Sequence, residues 1–221
     1  MNLKLINIKS LGGIHPEGTK WLRGSNLGHF PTLENAYLTI TDGKISDFGP
    51  MTHCPQDELP TQDCSDRHVL PAFVDSHSHL VYAGTREEEF NLRLKGASYE
   101  EIAAAGGGIL NSAAKVGTSS VDQLVSQAAF RLENLIECGT GTLEVKSGYG
   151  LDPENELKLL RAIKALNDQS HATLVPTFLA AHALPAWAKA QGMNDASYTK
   201  YMLDECLPAI KDQNLALFLD G

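Results

Sequence analysis

The chain has 221 residues, of which 43% are hydrophobic and 20% charged, and its formal net charge at pH 7 is -9. This composition is typical of a globular protein, and the acidic balance argues against nucleic acid or an anionic membrane surface as a partner. No early stretch is long and apolar enough for a membrane span or a secretory signal, so we expect a cytoplasmic protein. The cysteines lack metal-like spacing, which favours reduced thiols.

The first 50 residues contain three strand-like patterns. Residues 3–8 alternate apolar and polar side chains, as a half-buried strand does. Residues 36–40 and 44–49 alternate in the same way on either side of an Asp-Gly pair, which favours a tight turn between two antiparallel strands. The sequence therefore predicts a hairpin in this part of the chain.

A short apolar run from Val69 to Leu80 contains two histidines, His77 and His79. Because side chains alternate along a strand, both imidazoles should point the same way from the strand end, where they can share one metal ion. On spacing alone, two surface histidines at a strand end are the more common arrangement.

The rest of the chain alternates helical and strand-like patterns, which predicts a parallel α/β sheet with right-handed crossovers. Ser98 and Glu101 form a capping-box signature for a helix that should end at the glycines 106–108, a loop expected to act as a hinge and lid. The later strands are predicted at residues 142–145, 172–179 and 215–219, and the later helices at residues 119–139, 152–166 and 194–211, the last of them disturbed at Pro208.

Five segments occur in one order along the chain: residues 71–79, Arg86, residues 106–109, residues 142–151 and residues 177–182. Together they resemble the imidazolonepropionases, a family of the metal-dependent amidohydrolase superfamily, and the resemblance runs from about residue 30 to the end. It implies that residues 69–221 form the first half of a distorted (β/α)8 barrel, preceded by the small β domain of residues 1–68. Since a complete barrel takes about 250 residues, we expect the chain to be the N-terminal half of a longer protein.

The resemblance implies that His77 and His79 hold one zinc or iron ion. The family's third histidine and aspartate ligands, and its general base, would lie beyond residue 221. Glu144 and Lys146 alternate on a predicted strand. They are candidates for holding the site residues in place without contacting the metal or the substrate themselves.

The resemblance also implies a set of substrate-binding residues. Arg86 would bind the substrate's carboxylate through its planar guanidinium, the alternative being an ion pair with the acidic residues 87–89. Tyr149 and His182 would contact the substrate, and His182 would also act in catalysis by stabilising charge on the substrate ring. Core packing is the alternative for Tyr149, and a structural role is the alternative for His182. Tyr99 is a weaker substrate-binding candidate.

The activity implied by the resemblance is the metal-dependent hydrolysis of 4-imidazolone-5-propanoate to N-formimidoyl-L-glutamate in histidine degradation. The expected partners are this small molecule and, for the full-length protein, a second copy in a homodimer. The alternatives are another amidohydrolase, such as a nucleobase deaminase, and a non-catalytic half-barrel that binds a partner.

The chain by itself is expected to be a poor catalyst that tends to associate. Two histidines make only part of a metal site, and half a barrel leaves two sheet edges unpaired. The apolar strand residues expected to be partly open are Phe73, Val74, Leu143, Val145, Leu174, Val175, Leu217 and Leu219.

Overall fold

The structure is a computed structural model that describes residues 1–85, 87–98, 101 and 107–220. It divides the chain into two compact units, Met1–Pro71 and Ala72–Gly221. Two of the predicted substrate-binding residues, Arg86 and Tyr99, lie outside the described residues. Most of the helix predicted to begin after Ser98 does so too, although the two capping-box hydrogen bonds between Ser98 and Glu101 are formed.

The first unit is a five-stranded sheet in which the strand order is β3-β2-β1-β4 and β5 also pairs with β1. The strands are β1 (Leu3–Gly12), β2 (Thr32–Thr41), β3 (Lys44–Pro50), β4 (Thr61–Asp63) and β5 (His68–Val69). β2 is antiparallel to β1 and β3, whereas β4 and β5 run parallel to β1. Two short 3-10 turns, Gly24–Gly28 and Met51–His53, complete the unit.

The hairpin between β2 and β3 has the turn that its sequence predicts. Asp42 and Gly43 have φ angles of 52° and 75°, and the flanking residues Thr41 and Lys44 are paired. Two successive residues with positive φ match the right-handed twist of antiparallel strands, which explains the Asp-Gly pair at this position.

The second unit is an α/β structure around a four-stranded parallel sheet with the order β6-β7-β8-β9. Its strands are β6 (Phe73–Ser78), β7 (Thr140–Lys146), β8 (Thr173–Leu179) and β9 (Phe218–Asp220). Its described helices are α1 (Glu87–Leu94), α2 (Ile109–Thr118), α3 (Val121–Glu137), α4 (Pro153–Gln169), α5 (Ala186–Ala190) and α6 (Asp195–Gln213). Because neighbouring strands are parallel, their carboxyl ends lie along one edge of the sheet.

The core of this unit lies between the sheet and its helices. Leu143, Val145 and Leu174 are at most 2% exposed and pack in one cluster with residues of α3 and α4 such as Leu132 and Leu160. The expectation that these three strand residues would be partly open was therefore wrong, because they face the helices. The expectation does hold for Phe73, Val74, Leu217 and Leu219, each of which is more than half exposed.

Several elements differ from the sequence-based predictions, and the short helices α1 and α5 were not predicted. Helix α2 was not predicted, because its sequence is short and follows three glycines. Helix α6 continues through Pro208, which lies on the exposed side of the helix, where water can bond the carbonyl left without a partner. β9 begins at Phe218, three residues later than predicted, since Leu215 is buried against the helices. None of the helices in the described part of the chain combines the length and the apolarity needed to cross a membrane.

Candidate metal and substrate site

The two histidines of the His-x-His pair lie at the carboxyl end of β6. Their ring centres are 5.7 Å apart and the rings are nearly perpendicular, with an angle of 77°. With metal–nitrogen bonds of about 2.1 Å, two imidazoles on one tetrahedral ion have ring centres roughly 5 Å apart. The geometry of His77 and His79 therefore fits two ligands of a shared zinc or iron ion.

The imidazole of His79 is held in one orientation by the next strand. Its Nδ1 lies 2.9 Å from the carbonyl oxygen of Ser147, directly after β7. A carbonyl can only accept, so Nδ1 carries the proton and Nε2 keeps a lone pair for a metal. Burial lowers the pKa of His79, and the nearby His182 lowers it further. Both effects favour the neutral imidazole that a metal requires.

Tyr149 and His182, two more residues that the sequence predicted for the site, lie beside the His79 ring. The ring of Tyr149 stacks on that of His79, with centres 4.7 Å apart and an angle of 19°. His182, three residues after β8, has its ring centre 5.4 Å from that of His79 and 5.9 Å from that of Tyr149. The structure thus brings His77, His79, Tyr149 and His182 together at the carboxyl ends of β6, β7 and β8.

A polar cluster lies on the face of the sheet opposite the helices. Lys146 Nζ contacts Asp220 Oδ2 at 2.8 Å and Glu144 Oε1 at 3.0 Å, and Thr177 donates to the same Glu144 oxygen at 2.7 Å. The hydrogen bond to Asp220 raises the pKa of Lys146. Burial raises the pKa of Glu144, but hydrogen bonds from Thr177 and Lys146 outweigh it, so the pKa is lowered overall. Glu144 and Lys146 are therefore charged near neutral pH, and the cluster ties β7, β8 and β9 together.

A pocket of about 300 Å³ opens beside the histidines. Its lining residues are His79, Tyr82, Gly84, Thr85, Ser112 and Tyr149. This volume is at the lower end of the range for small-molecule sites. Arg131 of α3 stacks over Tyr82, with Cζ 3.5 Å from the ring centre, and donates to the carbonyl oxygens of Leu80 and Tyr82. The loop after β6 is thereby fixed as one wall of the pocket.

The described residues hold no group of three or more His, Cys, Asp or Glu side chains placed to bind one metal ion. Among these described residues, the His77 and His79 pair fits two ligands of a metal ion but does not make a complete set. The arrangement fits a metal that uses a pair of histidines from one strand, with its other positions filled elsewhere.

No family model matches the sequence, but curated relatives do. An imidazolonepropionase from Flavobacterium johnsoniae is 43% identical over 215 residues, which are 97% of this chain and 52% of that protein. The enzyme of the same name from Flavobacterium psychrophilum is 42% identical over 221 residues, 100% of this chain and 53% of the relative. The resemblance to imidazolonepropionases is confirmed. The chain spans about half the length of the curated relatives it matches.

Solved structures of amidohydrolases have a similar fold. The zinc complex of atrazine chlorohydrolase TrzN from Arthrobacter aurescens aligns with 99% of this chain and 46% of its own, at a TM-score of 0.59 and 14% identity. A 5-methylcytosine deaminase from Klebsiella pneumoniae aligns with 98% of this chain and 50% of its own, at a TM-score of 0.55 and 15% identity. At such identities the likeness concerns the fold alone.

Several residues of the site were not identified from the imidazolonepropionase-like motifs. Tyr82, Thr85 and Ser112 line the pocket, but none of them carries a distinctive spacing. The carbonyl oxygen of Ser147 orients His79, and a backbone carbonyl leaves no trace in a sequence. The one available signal was the Ser-Gly-Tyr-Gly segment, whose glycines indicate a close backbone approach.

Proposed function

We propose that this chain supplies part of the active site of an imidazolonepropionase, a metal-dependent hydrolase that opens the ring of 4-imidazolone-5-propanoate to give N-formimidoyl-L-glutamate. The observation that carries the proposal is the gathering of His77, His79, Tyr149 and His182 at one edge of the parallel sheet. Similarity at 42–43% identity to enzymes of that name supports the choice of substrate.

The histidine pair has the task of holding the metal. Zinc or iron bound there would lower the pKa of a water ligand and polarise the substrate carbonyl, which is what attack on a cyclic amide needs. His79 donates from Nδ1 to the Ser147 carbonyl, which supports its role because Nε2 keeps the lone pair that a metal would bind and the ring is held in one orientation.

The remaining residues bind and orient the substrate. Tyr149 covers the face of His79 and excludes water from it. His182 lies where it can hydrogen-bond the oxygen or nitrogen of the substrate ring and stabilise charge that develops there. Arg86 is proposed to bind the propanoate through its guanidinium, and Tyr99 to contact the substrate from the glycine-rich loop. Zinc or iron as the metal, a homodimer and a cytoplasmic location are part of the same proposal.

The test joins this chain to the part of the F. johnsoniae imidazolonepropionase that the match does not cover. The purified fusion, supplied with zinc or iron, should convert imidazolonepropionate to N-formimidoyl-L-glutamate, which mass spectrometry detects. The same fusion with His77→Ala and His79→Ala should lose the metal and at least a hundredfold in rate.

Cytosine and guanine serve as competing substrates in the same assay. Turnover of a nucleobase without turnover of imidazolonepropionate would contradict the proposal and favour a deaminase. A folded, metal-loaded fusion that turns over neither class would contradict it in favour of a binding role.

A further inference from the structure

Glu156 is a buried carboxylate that lies outside the site described above. It belongs to the first turn of α4 and is 1% exposed. Its Oε2 accepts from the backbone N–H of Gly148 at 2.7 Å, and its Oε1 accepts from those of Gly150 at 2.6 Å and Leu151 at 3.0 Å. The side chain of Ser147 also hydrogen-bonds this carboxylate. One side chain thus accepts from three of the five backbone N–H groups of the segment from Ser147 to Leu151, which we name the 147–151 loop.

The 147–151 loop depends on such a partner because of its backbone shape. Gly148 and Leu151 have φ angles of 102° and 59°, and a strained leucine at positive φ persists only where its surroundings hold it. A Cβ at Gly150 would lie 2.4 Å from the backbone nitrogen of Glu156, so the loop is pressed against the start of α4. Buried N–H groups in such a turn cannot form strand or helix bonds, and the carboxylate satisfies them instead.

Further hydrogen bonds, made by the Leu151 carbonyl and the Ser147 hydroxyl, also hold the 147–151 loop. The carbonyl oxygen of Leu151 accepts from Trp187 Nε1 at 3.2 Å and from the Tyr198 hydroxyl at 3.1 Å. The Ser147 hydroxyl accepts from the backbone N–H of Leu179, at the end of β8. The position of the 147–151 loop is therefore set by buried polar contacts and not by solvent-exposed ones.

This loop presents two groups to His79: the Ser147 carbonyl that accepts from Nδ1 and the Tyr149 ring that stacks on the imidazole. We propose that Glu156 is a positioning residue that sets the tautomer and orientation of His79, and the place of Tyr149, by holding the 147–151 loop. The proposal rests on the proposed function in that it takes His79 as a metal ligand. Glu156 itself contacts neither the metal position nor the pocket lining.

A carboxylate is suited to this task because it only accepts hydrogen bonds, and it has about four lone-pair positions. A glutamine has the same shape, but its NH2 group would face a backbone N–H, so at least one bond to the loop must break. Glu156→Gln is therefore the informative variant. Glu154→Gln, on the exposed face of the same turn, is the matched control.

The first measurement follows the imidazole of His79 by NMR of the whole chain labelled with ¹⁵N-histidine and without metal. Wild type and Glu154→Gln should show a protected Nδ1–H of His79, assigned by its loss in His79→Asn. In Glu156→Gln this signal should broaden or give way to the Nε2–H tautomer. The second measurement is the zinc affinity of the fusion described under Proposed function, by competition with a chelating dye, where Glu156→Gln should bind on the order of tenfold more weakly than the control.

The outcomes separate positioning from a purely structural role. A folded Glu156→Gln variant with an unchanged His79 signal and unchanged zinc affinity would overturn the proposal, even if its melting temperature falls. If this variant does not fold, Glu156→Asp, which keeps the charge on a shorter side chain, and Gly150→Ala, which crowds the loop while keeping Glu156, are measured in the same way. An unchanged His79 signal in both would be equally adverse. Failure of the wild type to bind zinc would count against the proposed metal site, while the tautomer measurement still decides the role of Glu156.

Discussion

The orientation of the His79 imidazole depends on neighbouring residues that lie outside the His-x-His motif. Its spacing from His77 could be predicted from the sequence, and so could the nearby Tyr149 and His182, because each follows a strand-like segment. The carbonyl of Ser147 and the carboxylate of Glu156 could not, because backbone acceptors and helix residues that fold back on a loop have no periodic signature. The sequence thus predicts the residues that would contact a ligand better than it predicts the residues that hold them in place.

Cys206 provides a pH prediction at the same scale. Burial is the main cause that raises the pKa of its thiol from 9.0 to about 12, and its side chain is fully buried. Since the thiolate is the reactive form, only about one thiol in ten thousand would be ionised at pH 8. Iodoacetamide at pH 8 should therefore label the exposed Cys138 long before Cys206, as peptide mass spectrometry can measure.

The control for this experiment is labelling in concentrated urea, where all four cysteines should react at similar rates. The reactivity of Cys206 in the folded chain should rise about tenfold per pH unit as the pH approaches 12, because the raised pKa keeps the thiol protonated below that value. Labelling of Cys206 as fast as Cys138 at pH 8 would show that the thiol is not buried as described.

At the level of elements, strand β7 shows what an alternation of apolar and polar residues predicts and what it leaves open. The period of two was correct, since Leu143 and Val145 share one face and Glu144 and Lys146 the other. The two-residue period does not determine which face of the strand is buried, because a parallel sheet can be covered on both sides. The helices α3 and α4 decide the matter by packing on the apolar face.

Truncation of Leu143 should reveal which face carries the stability. Leu143→Ala removes a fully buried side chain and should lower the free energy of unfolding by about 2–5 kcal/mol. The matched control is Val74→Ala on β6, where the side chain is 69% exposed and the cost should stay within about 0.5 kcal/mol. Urea unfolding followed by circular dichroism measures both. Equal losses in the two variants would contradict the assignment of the buried face.

For the whole molecule, the sequence predicted an α/β architecture with a parallel sheet, because helix and strand patterns alternate clearly from Ser119 onward. It also predicted that the strands at the two edges of the second sheet would expose apolar side chains, but not that Leu143, Val145 and Leu174 would be covered by helices. Phe73 and Val74 of β6, together with Phe218 and Leu219 of β9, are each more than half exposed. Edges with such side chains favour pairing with other strands.

The chain of residues 1–221 should therefore associate when purified alone. Sedimentation at increasing concentration should give a mass above that of the monomer, and replacing Val74 and Leu219 by lysine should shift the distribution towards the monomer, because charged edges resist pairing. The surface substitution Glu154→Gln serves as the control. A strictly monomeric wild-type chain over the whole concentration range would refute this prediction.

The strand order of the second sheet also bears on how the protein is made. In the order β6-β7-β8-β9 every strand pairs with the one translated just before it, so each strand and helix that leaves the ribosome can dock on a surface already present. Distant partners nevertheless occur in both sheets: Lys4 of β1 waits for Thr61, and Phe73 of β6 waits for Thr140. Since such distant pairings close slowly, we expect them to be the slow steps of both sheets, after which β8 and β9 add to a parallel sheet that has already begun.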